Sequence, residues 1–220
     1  MGIISVEQAD RLYWLGRYSE RVYTTLRLYF RSFDTMIDEL SESYPQYCRM
    51  VDIPNIYTSK EDFMNRYPFD MDNPDSIIST LNRVYDNAIV LRESIGSESL
   101  SYIQLAIYAM NKAASSESPL IEMQKVMDNI LAFWGITDDQ IDSEQIRNII
   151  KSGKRIERVD MYARLGVERK ELVREVYRMI PRIEKSGRAY DTDILNVLKA
   201  SVMAEKLDYY DIVENVEKIY

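Results

Sequence analysis

One helical phrase is written twice in this chain, and what repeats is polar. Gly16-Arg17-Tyr18-Ser19-Glu20-Arg21-Val22 returns as Gly153-Lys154-Arg155-Ile156-Glu157-Arg158-Val159, and the match extends to Arg27-Leu28 against Arg164-Leu165. Both copies read Gly-(Arg/Lys)-x-x-Glu-Arg-Val-x-x-x-x-Arg-Leu. On a helix turning about 100° per residue, Gly16, Glu20 and Arg27 fall within roughly 40° of one another, as do Gly153, Glu157 and Arg164. A glycine, an acid and a base share one ridge in each copy. The apolar positions Leu12, Leu15, Val22, Leu26 and Phe33 centre about 120° away on the same wheel, and Ile149, Ile156, Val159 and Ala163 hold that role in the second copy. The ridge therefore borders the core stripe. Two readings of it stand side by side. In the structural one, glycine allows close helix contact and Glu and Arg pair across the seam. In the functional one, a charged seam holds a ligand or a partner segment.

Composition removes several chemistries. The chain has 220 residues, no histidine, one cysteine (Cys48) and a formal net charge of −8. Without imidazole, a conventional zinc or iron site is disfavoured, so no metal is expected. A single cysteine rules out an internal disulfide. The acidic balance speaks against non-specific nucleic-acid binding. No apolar run approaches the ~18 residues of a membrane span, and the expected location is cytoplasmic. Asp70-x-Asp72-Asn73 lacks the Gly and Glu of a calcium loop and is read as capping.

Only 7 Gly and 6 Pro argue for long regular elements. Ser5-Val6-Glu7-Gln8 is a capping box opening a helix to about Leu40. Residues 41–73, interrupted by Pro45, Pro54 and Pro68, read as an irregular excursion with one short helix from Ser59. Asn73-Pro74 is read as the N-cap and first residue of a helix to about Ser94, ending at Gly96. Further helices are expected from Ser97 to about Ala114 and from Ser118 to about Gly135. A short capped turn follows at Thr137–Gln140, and a helix from Ser143 to Gly166 carries the second Glu-Arg copy. A charged helix over 167–185 is expected to break or kink at Pro181. Another helix runs from Asp191 to about Leu207, and 209–218 reads as one further turn or two. The expected fold is all-α: one domain over 1–220, a bundle of about eight helices with a long N-terminal helix and a C-terminal extension over 167–220.

The opening Ala9-Asp10-Arg11-Leu12-Tyr13-Trp14-Leu15-Gly16-Arg17-Tyr18-Ser19-Glu20-Arg21 resembles the signature of the alpha-E superfamily, a group of bacterial and archaeal helical proteins named for a duplicated Glu-Arg motif. Three further segments are similar to that family: Asn73-Pro74-x-Ser76-Ile77 with the downstream Arg83, Asn87 and Arg92; Phe133-Trp134-Gly135-Ile136-Thr137; and Gly153 to Arg164. The chain departs from the family pattern before Gly153, where Asn148–Ser152 stands in place of a Gly-Trp pair. The resemblance implies an association with circularly permuted ATP-grasp proteins, and with a transglutaminase-like protein or a peptide substrate. ATP and magnesium would then belong to the partner, and no cofactor is expected in this chain.

Three functions compete. The first is an accessory or substrate-presenting component of an ATP-grasp-linked amide-bond-forming system. In it Arg17, Arg21, Arg27, Arg83 and Arg92 meet carboxylate or phosphate in forked geometry, with Asn73, Asn87, Arg158 and Arg164 as further binding candidates. Glu20 and Glu157 orient those arginines or receive an amine. The second is a structural helical adaptor with the Glu-Arg pairs as internal glue. The third is an independent amide-forming enzyme with Glu20 or Glu157 as catalytic base. The third lacks histidine, an activated nucleophile and a phosphate-cradling glycine loop.

Overall fold

A computed structural model describes residues 4–38 and 43–220, with residues 34–38 described by their backbone alone. The described residues form ten helices and no strand: α1 Val6–Asp38, α2 Tyr44–Val51, α3 Lys60–Arg66, α4 Ile77–Val90, α5 Arg92–Ala113, α6 Pro119–Gln140, α7 Glu144–Arg164, α8 Arg169–Ser186, α9 Thr192–Met203 and α10 Tyr209–Glu217. The all-α expectation is met. The short α3 is the helix expected from Ser59, and α2, in the same stretch, is a helix the sequence reading did not include. The expected helix end near Leu40 lies outside the described residues.

The helices gather into two compact units. One holds the chain up to Glu20 together with Asp142–Tyr220, and the other holds Arg21–Ile141. The boundary falls inside α1, between the Glu and the Arg of the first motif. In the first unit, α7 and α8 pack as an antiparallel hairpin. Arg182 donates to Asn148 at 3.0 Å and Lys185 meets Glu144 at 2.9 Å. Ser143 caps α7 by accepting from the Ile146 amide at 3.3 Å, as read from the sequence. Asp191 and Asp208 do the same for α9 and α10. The helix α8 continues through Pro181. The proline faces solvent while Leu172, Val176, Met179 and Ile183 are buried, and that apolar stripe holds the helix together despite the lost hydrogen bond.

The second unit packs α4 against α5 and α5 against α6. Gly96, with φ 82° and ψ 154°, separates the first turn of α5 from the rest. That conformation suits glycine alone. Asn73 does not cap α4. Its side chain accepts from the Asp75 amide at 2.9 Å and its carbonyl from the Ser76 amide at 3.1 Å, so Asn73-Pro74-Asp75-Ser76 forms a turn. Ser76 then caps the helix by accepting from the Ser79 amide at 3.1 Å. Proline suits the second position of such a turn as well as it suits a first helical residue. Nor does α6 stop at Gly135. Ile130, Phe133, Trp134 and Thr137 are all buried at helical spacing, and their packing outweighs the roughly 1 kcal/mol cost of one interior glycine. The capped turn expected at Thr137–Gln140 is therefore the last turn of α6.

Residues 44–67 are held by aromatic packing. Phe63, with no exposed surface, lies 5.0–6.3 Å between ring centroids from Tyr29, Tyr44, Tyr47, Tyr57 and Tyr67. The hydroxyls at the edges of the cluster donate to backbone: Tyr47 to the Thr25 carbonyl at 3.1 Å and Tyr29 to the Met64 carbonyl at 3.2 Å. Phe63→Ala removes the ring that the others share. It is expected to lower stability by about 3–5 kcal/mol, read from urea unfolding followed by near-ultraviolet circular dichroism.

Candidate functional site

The two motif glycines meet across α1 and α7 within the first unit. A methyl group built on Gly16 would lie 2.0 Å from the Ile150 carbonyl oxygen, and one built on Gly153 would lie 2.1 Å from the Tyr13 carbonyl oxygen. Each glycine meets the residue three before the other glycine, so the contact is reciprocal. Backbone stands against backbone, which no side chain of any size permits. The repeat thus encodes a helix crossing.

The glutamates sit beside that crossing and are sealed. Glu20 has no exposed surface and Glu157 has 1%. Arg158 grips Glu20 with both teeth of its fork, Nε to Oε1 at 2.6 Å and Nη2 to Oε2 at 2.9 Å. Arg17 donates Nε to Glu157 Oε2 at 2.6 Å and reaches Asp160 Oδ2 with Nη2 at 3.4 Å. Each acid is therefore paired by the opposite helix. The two pairs use different motif positions: Glu20 takes the arginine that follows Glu157, whereas Glu157 takes Arg17, the residue after the first glycine. The Arg17 guanidinium lies 5.3 Å from the ring centre of Trp14, which itself stacks on Tyr18 at 5.1 Å. Burial disfavours the Arg17 charge, but Glu157, Tyr13 and Asp160 together outweigh this and hold its pKa above the ordinary value.

Asp160 links this seam to the end of the chain. It is fully buried and accepts from Arg164 Nε at 2.7 Å, and Arg164 also meets Glu217 of α10 at 2.9 Å. Burial pushes the Asp160 carboxyl up to about 6, the Glu157 carboxylate adds to the rise, and Arg164 and Arg17 oppose it. A second buried acid, Glu175, faces Arg155 across the α7–α8 hairpin. It sits three residues after Leu172 and four before Met179, on the apolar stripe of α8. Neither acid was among the sequence candidates. The helical period marks Glu175 as an acid on a core face. Asp160 lies three residues after Glu157, but the first copy has Tyr23 at that place, so comparing the copies conceals it.

Of the sequence candidates, Arg17, Glu20, Glu157, Arg158 and Arg164 come together in this network. The other six belong to the second unit. The exposed Arg27 lies over the Tyr23 ring at 5.7 Å, and Arg21 is half-buried on α1. Asn73 donates to the Tyr57 hydroxyl at 3.0 Å. Arg83 and Asn87 are half-buried on α4, and Arg92 is exposed, donating to the Ser97 hydroxyl at 3.1 Å. Among the described residues, no three cysteine or acidic side chains gather as a metal cage. None of the described helices is long and apolar enough to cross a membrane.

A family model described as a predicted alpha-helical domain with a conserved ER motif matches residues 7–204. The chain belongs to the Alpha-E family. No curated protein and no solved structure matches it. In this Alpha-E chain the Glu and Arg of the motif are adjacent in sequence, and Glu20 is held by Arg158 while Glu157 is held by Arg17. Successive helical residues point about 100° apart, and the bonds run between copies.

Two outcomes test this geometry. Gly16→Ala forces the crossing apart and is expected to cost about 3 kcal/mol or more, with Gly153→Ala equivalent, in denaturant melts. For Asp160, the folded value lies above the unfolded one, so the folded chain keeps a proton that the unfolded chain releases between about pH 4 and pH 6. Its contribution to stability therefore falls as pH rises through that window, by about 3 kcal/mol at most. The stability difference between wild type and Asp160→Asn should decline across this range and level off above it. A constant difference would assign Asp160 an ordinary carboxyl.

Proposed function

We propose that this Alpha-E domain is an accessory component of an amide-bond-forming system driven by an ATP-grasp-type partner, and that its Glu-Arg motif is the internal lock of the domain. The observation that carries this reading is the sealing of Glu20: a carboxylate with no exposed surface, held bidentately by Arg158, is engaged inside the domain. A catalytic base has to come within about 3 Å of the proton it takes, and neither motif glutamate offers that approach. The 220 residues hold no histidine to replace them. The ATP-grasp setting rests on the family resemblance, with ATP and magnesium supplied by the partner. A transglutaminase-like protein or a peptide substrate completes the proposed assembly.

The test is reconstitution. ATP-dependent amide formation by an ATP-grasp-type partner should require this chain, and an undiminished rate without it would sink the accessory role. Glu20→Gln should lower stability by about 3 kcal/mol, because it breaks the bidentate pair that the half-buried Arg158 makes with a sealed carboxylate. It should leave activity per folded molecule unchanged. A variant that stays as stable as wild type yet abolishes activity would make the seam a ligand site instead.

A further inference from the structure

The buried Glu175 carboxylate draws more cations than it needs. Arg155 hydrogen-bonds its Oε2, Arg178 donates Nη1 to Oε1 at 3.0 Å, Arg174 brings Nε to 3.4 Å and Arg158 brings Nη1 to 3.9 Å. One forked guanidinium satisfies a carboxylate and two saturate it. The third and fourth add repulsion between like charges. That repulsion acts here, since burial and the nearby Arg158 charge pull Arg155 below its ordinary pKa against the pull of Glu175.

The charges do not balance. Four guanidiniums face two carboxylates, Glu175 and the Glu20 already held by Arg158, which leaves an excess of two positive charges. Glu171 approaches Arg174 only at 3.8 Å, with both side chains 47% exposed, and solvent screens that pair. This excess sits on a chain of net charge −8. The donors are not sealed as the Glu20 seam is: Arg174 is 47% exposed, Arg178 54% and Arg155 23%. Arg155 and Arg158 stand three apart on one face of α7, opposite Arg174 and Arg178 on α8. Glu175 holds them together as a positioning residue.

We infer that Arg155, Arg174 and Arg178, gathered on Glu175 beside Arg158, form a binding site for a phosphate group on the rim of the α7–α8 hairpin. A dianion matches the excess of two charges, and the planar forks match phosphate oxygens. This goes beyond the accessory role and is independent of it, because the test uses the purified chain with no partner present.

Thermal melts of the full chain in inorganic phosphate, with sodium chloride at matched ionic strength and acetate as parallel arms, decide the matter. Phosphate is expected to raise the melting midpoint saturably, as a ligand that prefers the folded state does. Chloride and acetate should not. A further arm with phosphoserine separates a free phosphate from an esterified one by which saturates at lower concentration. The double variant Arg174→Ala with Arg178→Ala removes two outward-facing side chains. It should stay folded and bind phosphate at least about tenfold more weakly. Arg182→Ala, on the same helix but bonded to Asn148, should respond as wild type does. An equal rise in chloride or acetate, or a phosphate response that survives the double variant, would overturn the site.

Discussion

Glu20 and Glu157 are charges with no water around them, and most of the first unit follows from keeping them satisfied. Burying a carboxylate is costly unless a cation with good geometry comes with it. Here Arg158 and Arg17 each reach their acid from the opposite helix, so these two pairs form only when α1 and α7 touch. The glycines make that touch close enough. Gly16 against the Ile150 carbonyl and Gly153 against the Tyr13 carbonyl bring two backbones together, and the charged forks then reach across. Glycines and charges are thus one device: widen the crossing and the pairs are lost, remove the pairs and the crossing buries bare charge. Replacing both pairs with well-packed apolar side chains would cost little stability in general. What the charges add is register, because a Glu-Arg fork fits in few alignments and an apolar seam fits in many.

The two units reach order by different means. In the first, acids meet arginines from the buried Glu20 through the buried Asp160 to the exposed Glu217. In the second, tyrosine rings crowd around Phe63 and send their hydroxyls to nearby carbonyls. Both solve the same problem, giving a helical core a unique arrangement, one with directional charge and the other with aromatic edges. The abundance of tyrosine in the composition is partly explained by this second core.

The crossing could be read from the sequence because its parts obey helical spacing: four residues from Gly16 to Glu20, the same from Gly153 to Glu157, and a core stripe beside each. The partners could not, because periodicity tells which face a residue occupies and not which helix supplies its counter-ion. Arg21 and Arg158 are equivalent in the repeat, yet Glu20 is gripped by Arg158 whereas Glu157 is met by Arg17, from another motif position. Cap positions were legible wherever one polar residue preceded an apolar run, as at Ser5, Ser143 and Asp191. The reading failed at Asn73, where the cap of α4 is Ser76, three residues on. Gly135 misled for an energetic reason, since local propensity is worth about a kilocalorie and the buried Phe133 and Trp134 are worth more. The helix over 44–51 gave no period to read, because rings on neighbouring elements stabilise it.

The division of the first unit along the chain has a kinetic consequence. Glu20 and Arg158 stand 138 residues apart, and the whole second unit is inserted between them. On a ribosome the opening helix emerges first and waits. The intervening unit, whose aromatic contacts are more local, emerges before α7 does. Closing so long a loop is entropically slow and comes late. Until then the ridge carrying Gly16 and Glu20 stays wet and unmatched. The half-made chain is therefore a different molecule from the finished one, with a charged, glycine-notched helix face open to whatever binds nascent chains.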